Sequence, residues 1–258
     1  MKSGSSLQID RLSLRLRDKN LLTDIDCCCA AGQIFAICGP NGAGKSTLLS
    51  TLSGSRTPSA GQILMNGRRL SDWPADELAR QRAVLSQATR LAFGFSVSEV
   101  VALGRVPQEG LLSASENRAI VAEAMTLMEI SALASRNILS LSGGEQQRVH
   151  LARVLAQVWD KPATGEAGWI FLDEPTTALD LRHQIKLMRV LRDFADRGWG
   201  VVAVLHDLAM VRHWADCCLL LDKGRQVGVG LPQEALSAQQ IARIYQLDPA
   251  DLAVMIPL

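Results

Sequence analysis

Ile34-Phe35-Ala36-Ile37-Cys38-Gly39-Pro40-Asn41-Gly42-Ala43-Gly44-Lys45-Ser46 decides how this chain folds. The first five residues are a continuous apolar run, the pattern of a strand covered on both faces of a sheet. The next eight follow Gly-x-x-x-x-Gly-Lys-Ser, a phosphate-binding loop. Its glycines let backbone N–H groups turn toward phosphate oxygens, and the helix that follows aims its positive end at the anion. Gly39 to Thr47 are therefore the expected nucleotide-binding residues, comprising Gly39, Pro40, Asn41, Gly42, Ala43, Gly44, Lys45, Ser46 and Thr47. Lys45 is placed to reach the outer phosphates, and Ser46 to offer its hydroxyl to Mg²⁺. Ser46 to Leu52 reads as a helix ended near Gly54.

Working outward, residues 8–37 read as short strands, and Gln62 to Met65 as a strand before an Asn66-Gly67 turn. Over 88–157 strand signals fade and helical spacing dominates, as in Ile120, Ala124, Leu127 and Met128. Apolar strands return at 169–174, 200–205 and 217–222, with an amphipathic helix expected at about 181–197. The tail from Pro232 reads as one or two short helices.

Two strand ends carry further chemistry. Asp173 closes Trp169-Ile170-Phe171-Leu172, where a carboxylate can hold Mg²⁺. Glu174 follows at once and can orient or deprotonate an attacking water. His206 ends the run Val201 to Leu205, facing the crevice at the carboxyl edge of a parallel sheet, from which it can bond a phosphate. Gln87, after the strand-like Ala83-Val84-Leu85-Ser86, carries an amide that could reach Mg²⁺ or the water.

Leu141-Ser142-Gly143-Gly144-Glu145-Gln146-Gln147-Arg148 has no part in such a site. A Gly-Gly step at a helix start exposes N–H donors at a positive dipole end. It is a second phosphate-binding surface, expected to serve the nucleotide of another subunit.

Composition sets outer bounds. The chain has 258 residues, 48% of them hydrophobic, and its 27 basic and 26 acidic side chains leave a net charge of +1. A nucleic-acid binder usually shows a basic excess, so no nucleic-acid partner is expected. No apolar run approaches the roughly 20 residues that span a bilayer, and no apolar signal core opens the chain. The expected place is the cytoplasm, with any membrane role exercised through a partner. The six cysteines, Cys27, Cys28, Cys29, Cys38, Cys217 and Cys218, lack metal-finger spacing and read as reduced, mostly buried small hydrophobes.

Together these motifs resemble the ATP-binding cassette (ABC) ATPases over essentially the whole chain. Residues 39–46 are similar to their Walker A loop, Gln87 to the Q-loop, 141–148 to the signature, 169–173 to the Walker B strand and Glu174 to the catalytic glutamate. Ala178-Leu179-Asp180 resembles the D-loop, and His206 the switch histidine. The resemblance implies an α/β fold in one ATP-binding domain spanning 1–258. A P-loop NTPase (RecA-like) core with an antiparallel β subdomain would occupy 1–87 and 158–258, and an inserted helical subdomain 88–157.

The same resemblance implies ATP and Mg²⁺, the metal at Ser46, Asp173 and Gln87, with Glu174, His206 and Gln87 catalytic. It implies a homodimer with two ATP molecules sandwiched head to tail. Leu141, Ser142, Gly143, Gly144, Glu145 and Gln146 of one subunit would then face the γ-phosphate held by Lys45 of the other. Two copies of a transmembrane permease and, through them, a periplasmic substrate-binding protein complete the implied assembly at the cytoplasmic face of the bacterial inner membrane. One departure is visible: residues 11–22 contain no aromatic side chain to stack on adenine, so Leu16 or Arg17 should lie near the base.

Ser96 to Arg105 resembles the corresponding segment of importers for metal chelates, and Asp180-Leu181-Arg182-His183-Gln184 points the same way. The polar loop at 160–168 resembles one in haem importer ATPases, which favours haem over siderophore or cobalamin cargo. A permease helix would dock from Gln87 to Arg105, with Phe93, Phe95, Val97 and Val100 either as apolar contacts or packed inside the helical subdomain, and Arg90 and Arg105 at the rim. Rival readings are an ATPase of cofactor assembly, a small-molecule kinase and a regulatory switch without turnover. The kinase has no use for 141–148, and the switch none for Glu174.

Overall fold

In the computed structural model, residues 5–86, 94–160 and 166–248 are described. Ten strands form one sheet in the order β5-β4-β1-β2-β10-β9-β3-β8-β7-β6. In chain order the strands are β1 (Ser6–Leu16), β2 (Lys19–Ala30), β3 (Ile34–Cys38), β4 (Ala60–Met65) and β5 (Arg68–Arg69), then β6 (Arg82–Leu85), β7 (Trp169–Asp173), β8 (Gly200–Val204), β9 (Cys217–Asp222) and β10 (Arg225–Gly230). The α-helices are α1 (Lys45–Leu52), α2 (Ala75–Gln81), α3 (Val97–Ala102), α4 (Ala114–Leu127) and α5 (Gly143–Gln157), followed by α6 (Leu181–Asp196), α7 (Leu208–Trp214), α8 (Pro232–Ala235) and α9 (Ala238–Tyr245).

The central strands β6-β7-β8-β3-β9 run parallel. β3, β7 and β8 are buried at every position, as their unbroken apolar sequences require. β1, β2, β4 and β5 pair antiparallel, and β1, β2 and β4 alternate covered with exposed residues, so only one of their faces is covered. This antiparallel part joins the rest of the sheet through a single pair, Thr23 with Arg225. The expected short strands before residue 38 are thus two long, bulged ones and β3.

Two cores flank the parallel strands. One face carries Phe35, Ile37, Phe171, Val202 and Leu219 against α1 and the antiparallel strands. The other carries Ile34, Ala36, Ile170 and Val201 against α6 and the helices α3 to α5. Between β6 and β7 the described chain is helical, and three of its helices begin on the same device. Ser96, Ser113 and Ser142 each cap a helix and exchange hydrogen bonds with Glu99, Glu116 and Glu145 three residues on.

The cysteines are all free. Cys29, Cys38 and Cys218 are buried as expected, but Cys28 is exposed because alternation along β2 turns it away from the core that Cys29 enters. The larger revision concerns the expected permease contacts. Val97 and Val100 are fully buried inside the helical bundle, and Arg105 is not at a rim but 4% exposed. Its guanidinium bonds Asn117 Oδ1, the Ala156 carbonyl and Asp160 Oδ2. Leu103, Val106 and Leu111 are the apolar side chains exposed on this stretch, beside Phe95. Arg90 and Phe93 lie outside the described residues, as do 161–165 of the polar loop. The ends of that loop are held by Asp160 on Arg105 and by the Ala167 carbonyl on Asn66 Nδ2.

Candidate nucleotide site

β3 delivers the Gly-rich loop at the carboxyl edge of the sheet, and α1 starts directly from it with Gly44 in the left-handed region as N-cap. Gly39 is required by close approach: a Cβ there would collide with the Leu221 carbonyl. Lys45 is 5% exposed and donates to the carbonyls of Gly39 at 2.8 Å and Pro40 at 2.9 Å. Burial pushes its ammonium down from the usual lysine range, with Glu174, Cys38 and Asp173 opposing.

β7 ends on Asp173, paired in register with Val204 of β8. Its Oδ1 accepts the Ser46 hydroxyl at 3.0 Å, joining the two side chains named for Mg²⁺. Burial raises the Asp173 carboxyl above the ordinary range, opposed by the Ser46 hydrogen bond. Desolvation of the charged form by burial is the largest cause for both groups.

Glu174 leaves the strand with φ 49°, a left-handed backbone that a β-carbon disfavours. This conformation turns its carboxylate back toward the loop, where Oε1 lies 2.7 Å from His206 Nε2 and Oε2 accepts the Thr177 hydroxyl at 3.4 Å. His206 comes from the end of β8, two residues past Val204. A cleft of about 750 Å³ opens over these groups. Asn41, Gly42, Gly44, Lys45, Ser46 and Thr47 line one side, and Glu174, Thr176, Thr177, Gln184, His206, Asp207 and Met210 the other.

Thr176, Gln184, Asp207 and Met210 were not read as site residues from sequence. Only Asp207 had a local signal, since it caps α7 by accepting from Ala209 and Met210 N–H groups. Gln87 lies outside the described residues. Leu16 and Arg17 form the exposed tip between β1 and β2, and neither lines the cleft.

The segment 141–146 lies elsewhere. Leu141 is buried, and its carbonyl accepts from Gln146 Nε2 at 3.0 Å. Ser142 caps α5, and a Cβ on Gly143 would meet nothing within 4 Å, so this helix start is open. A Cβ on Gly144 would sit 2.9 Å from the Ala178 carbonyl. Among the described residues, none of 141–146 lines the cleft. Ala178 and Asp180 are exposed and Leu179 is buried.

A parallel sheet, an anion loop at its carboxyl edge and a carboxylate-histidine pair facing that loop define a P-loop nucleotide-binding ATPase. Comparison with known proteins narrows the class. The family profile described as "ABC transporter" matches residues 22–177. The chain is 46% identical over 243 residues to the hemin import ATP-binding protein HmuV of Pseudomonas entomophila, covering 94% of this chain and 93% of that one. It is 43% identical over 257 residues to the protein of that name from a Ruegeria species, covering 97% of each. A dimeric bacterial ABC transporter cassette superposes with a TM-score of 0.76 at 26% identity, over 88% of this chain and 98% of that one. The chain belongs to the ABC transporter family, as an ATP-binding, ATP-hydrolysing subunit. Dimers of such subunits with a transmembrane permease are the setting expected of the family.

Proposed function

We propose that this chain powers haem uptake through a partner permease, as one of two identical ATPase subunits at the cytoplasmic face of a bacterial inner membrane. The identity to two hemin import ATP-binding proteins along nearly the whole of each chain carries this reading. No described helix is long and apolar enough to cross a membrane, which accords with attachment through the permease. Exposed Leu103, Val106 and Leu111, with Phe95, form the docking face for a permease helix. A periplasmic haem-binding protein acts on the far side of that permease.

In the proposed cycle the loop amides of 42–47 and Lys45 hold the outer phosphates of ATP. Lys45 gives up its two carbonyl partners for phosphate oxygens, which compensate the buried charge better. Ser46 and Asp173 supply hard oxygen donors already within 3.0 Å of each other, a set suited to Mg²⁺, with Gln87 as a further ligand. When bound, Mg²⁺ neutralises charge on the phosphate oxygens. Glu174 orients and deprotonates water, and His206 passes its hydrogen bond from Glu174 to the γ-phosphate. The open start of α5, Ser142 to Gly144, closes the nucleotide site of the partner subunit, and Ala178 to Asp180 meet it across the interface. The absence of 141–146 from the cleft of their own chain supports this assignment in trans.

The test is haem transport into vesicles carrying the permease with this chain. ATP-dependent uptake is expected, and Glu174→Gln should lower turnover by about 10²- to 10⁴-fold while ATP binding persists. Normal turnover in that variant refutes the catalytic assignment. Uptake of a siderophore or cobalamin in place of haem refutes the cargo.

A further inference from the structure

We propose that Glu129 is a positioning residue for ATP hydrolysis, fixing the signature helix α5 against the D-loop of the same subunit. The inference rests on the roles proposed above for 142–144 and 178–180. Glu129 follows the end of α4 with φ 56°. Its carboxylate gathers three side chains from the first turns of α6, two of them cationic. Lys186 Nζ lies at 2.7 Å, the Arg182 guanidinium at 2.9 Å and His183 Nε2 at 3.5 Å. His183 carries the contact onward: its Nδ1 is 2.8 Å from Asp180 Oδ1, which also accepts the His183 backbone N–H at 2.9 Å. Glu129 thus reaches the D-loop aspartate through one imidazole.

The backbone at the same point is tied to the signature. Arg148, on α5, donates to the carbonyls of Met128 at 3.2 Å and Glu129 at 2.9 Å. Nearer the start of α5, Gln147 Nε2 donates to the Pro175 carbonyl at 3.0 Å, and Gly144 faces the Ala178 carbonyl. Segment 128–129 is therefore held between the helix that presents Ser142 to Gly144 and the helix that starts at Asp180. Both of those elements face the partner subunit in the proposed dimer.

Arg182 is 71% exposed, and an exposed ion pair contributes little to folding; Glu129, Lys186 and His183 are partly covered, at 29, 31 and 16% exposure. A glutamate in the left-handed region is moreover disfavoured relative to glycine or asparagine. The Lys186 hydrogen bond first, and then the Lys186 and Arg182 charges, hold the carboxyl below its ordinary range against the opposing effect of burial. A fixed charge that three groups of another element share sets the orientation of that element.

The experiment uses the full chain with Glu129→Gln and Glu129→Asp, measuring steady-state ATPase against ATP concentration and, separately, equilibrium binding of a fluorescent ATP analogue. A change of coupling between sites made at an intermediate residue corresponds to roughly 2- to 30-fold. Glu129→Gln should lose kcat within that range and bring the Hill coefficient toward 1, with nucleotide affinity within about twofold of wild type. Glu129→Asp, which keeps the charge, should recover most of kcat. A Gln variant whose kcat stays within twofold of wild type overturns the proposal. So does a kcat loss that comes with matching loss of affinity, or one that Glu129→Asp shares in full. Glu174→Gln, run beside them, separates the two ideas: if it abolishes turnover while Glu129→Gln keeps kcat within twofold of wild type, only the role of Glu129 fails.

Discussion

His150 should make the signature helix the acid-labile part of this protein. It sits midway along α5, 6% exposed, and among the described residues its Nδ1 is buried without a hydrogen-bond partner. Burial, aided by the nearby Arg153 charge, pushes its pKa from 6.5 down to about 4. The folded chain therefore binds this proton less readily than the unfolded chain. Stability is complete above pH 6.5, falls as pH drops toward 4, and then levels. Each unit of difference is about 1.4 kcal/mol, so the full loss is roughly 3 kcal/mol, of which about 2 has accrued by pH 5. Solvent screening of the new charge can only reduce these figures. Denaturant unfolding of wild type and His150→Leu at pH 7.5 and pH 5 isolates the effect, because other titrating groups are common to both. The leucine variant should lose about 2 kcal/mol less than wild type between the two pH values. A difference below about 0.5 kcal/mol would refute the reasoning.

Ser142→Arg should leave ATP binding at Lys45 within about twofold of wild type while abolishing dimer closure and turnover, beyond the ~1 kcal/mol expected from losing the α5 cap. Analytical ultracentrifugation with ATP and a phosphate-release assay check this, and normal turnover would sink the contact in trans. Val106→Glu, at a side chain 51% exposed, should keep basal ATPase unchanged and remove stimulation by the permease. Retained stimulation in reconstituted vesicles would move the docking face elsewhere.

Much of the site was legible because its signals are local. The run at 34–38, the glycines at 39, 42 and 44 and Lys45 sit together in sequence, and α1 begins where they predict. Residues 181–197 read as an amphipathic helix, and α6 is Leu181–Asp196. β10 was missed because Arg225–Gly230 has two glycines and only Val227 and Val229 as apolar positions, too weak a strand signal without β9 beside it. α2 was missed because its seven residues bury only Leu78 and Gln81, too few for a period. Of the two readings open for Val97 and Val100, the sequence favours the buried one. Ser96-x-x-Glu99 is a helix-start signal, and a helix beginning at Val97 puts 97, 100 and 101 on one inward face. No such signal exists for Glu129, whose partners lie more than fifty residues away on α6.

The 2.7 Å contact between Glu174 and His206 also bears on the idle molecule. With His206 on one carboxylate oxygen and the Thr177 hydroxyl on the other, Glu174 is held on both sides by its own chain. On the roles proposed above, the pair would work as a catch: Glu174 would serve water only once His206 is drawn to a γ-phosphate.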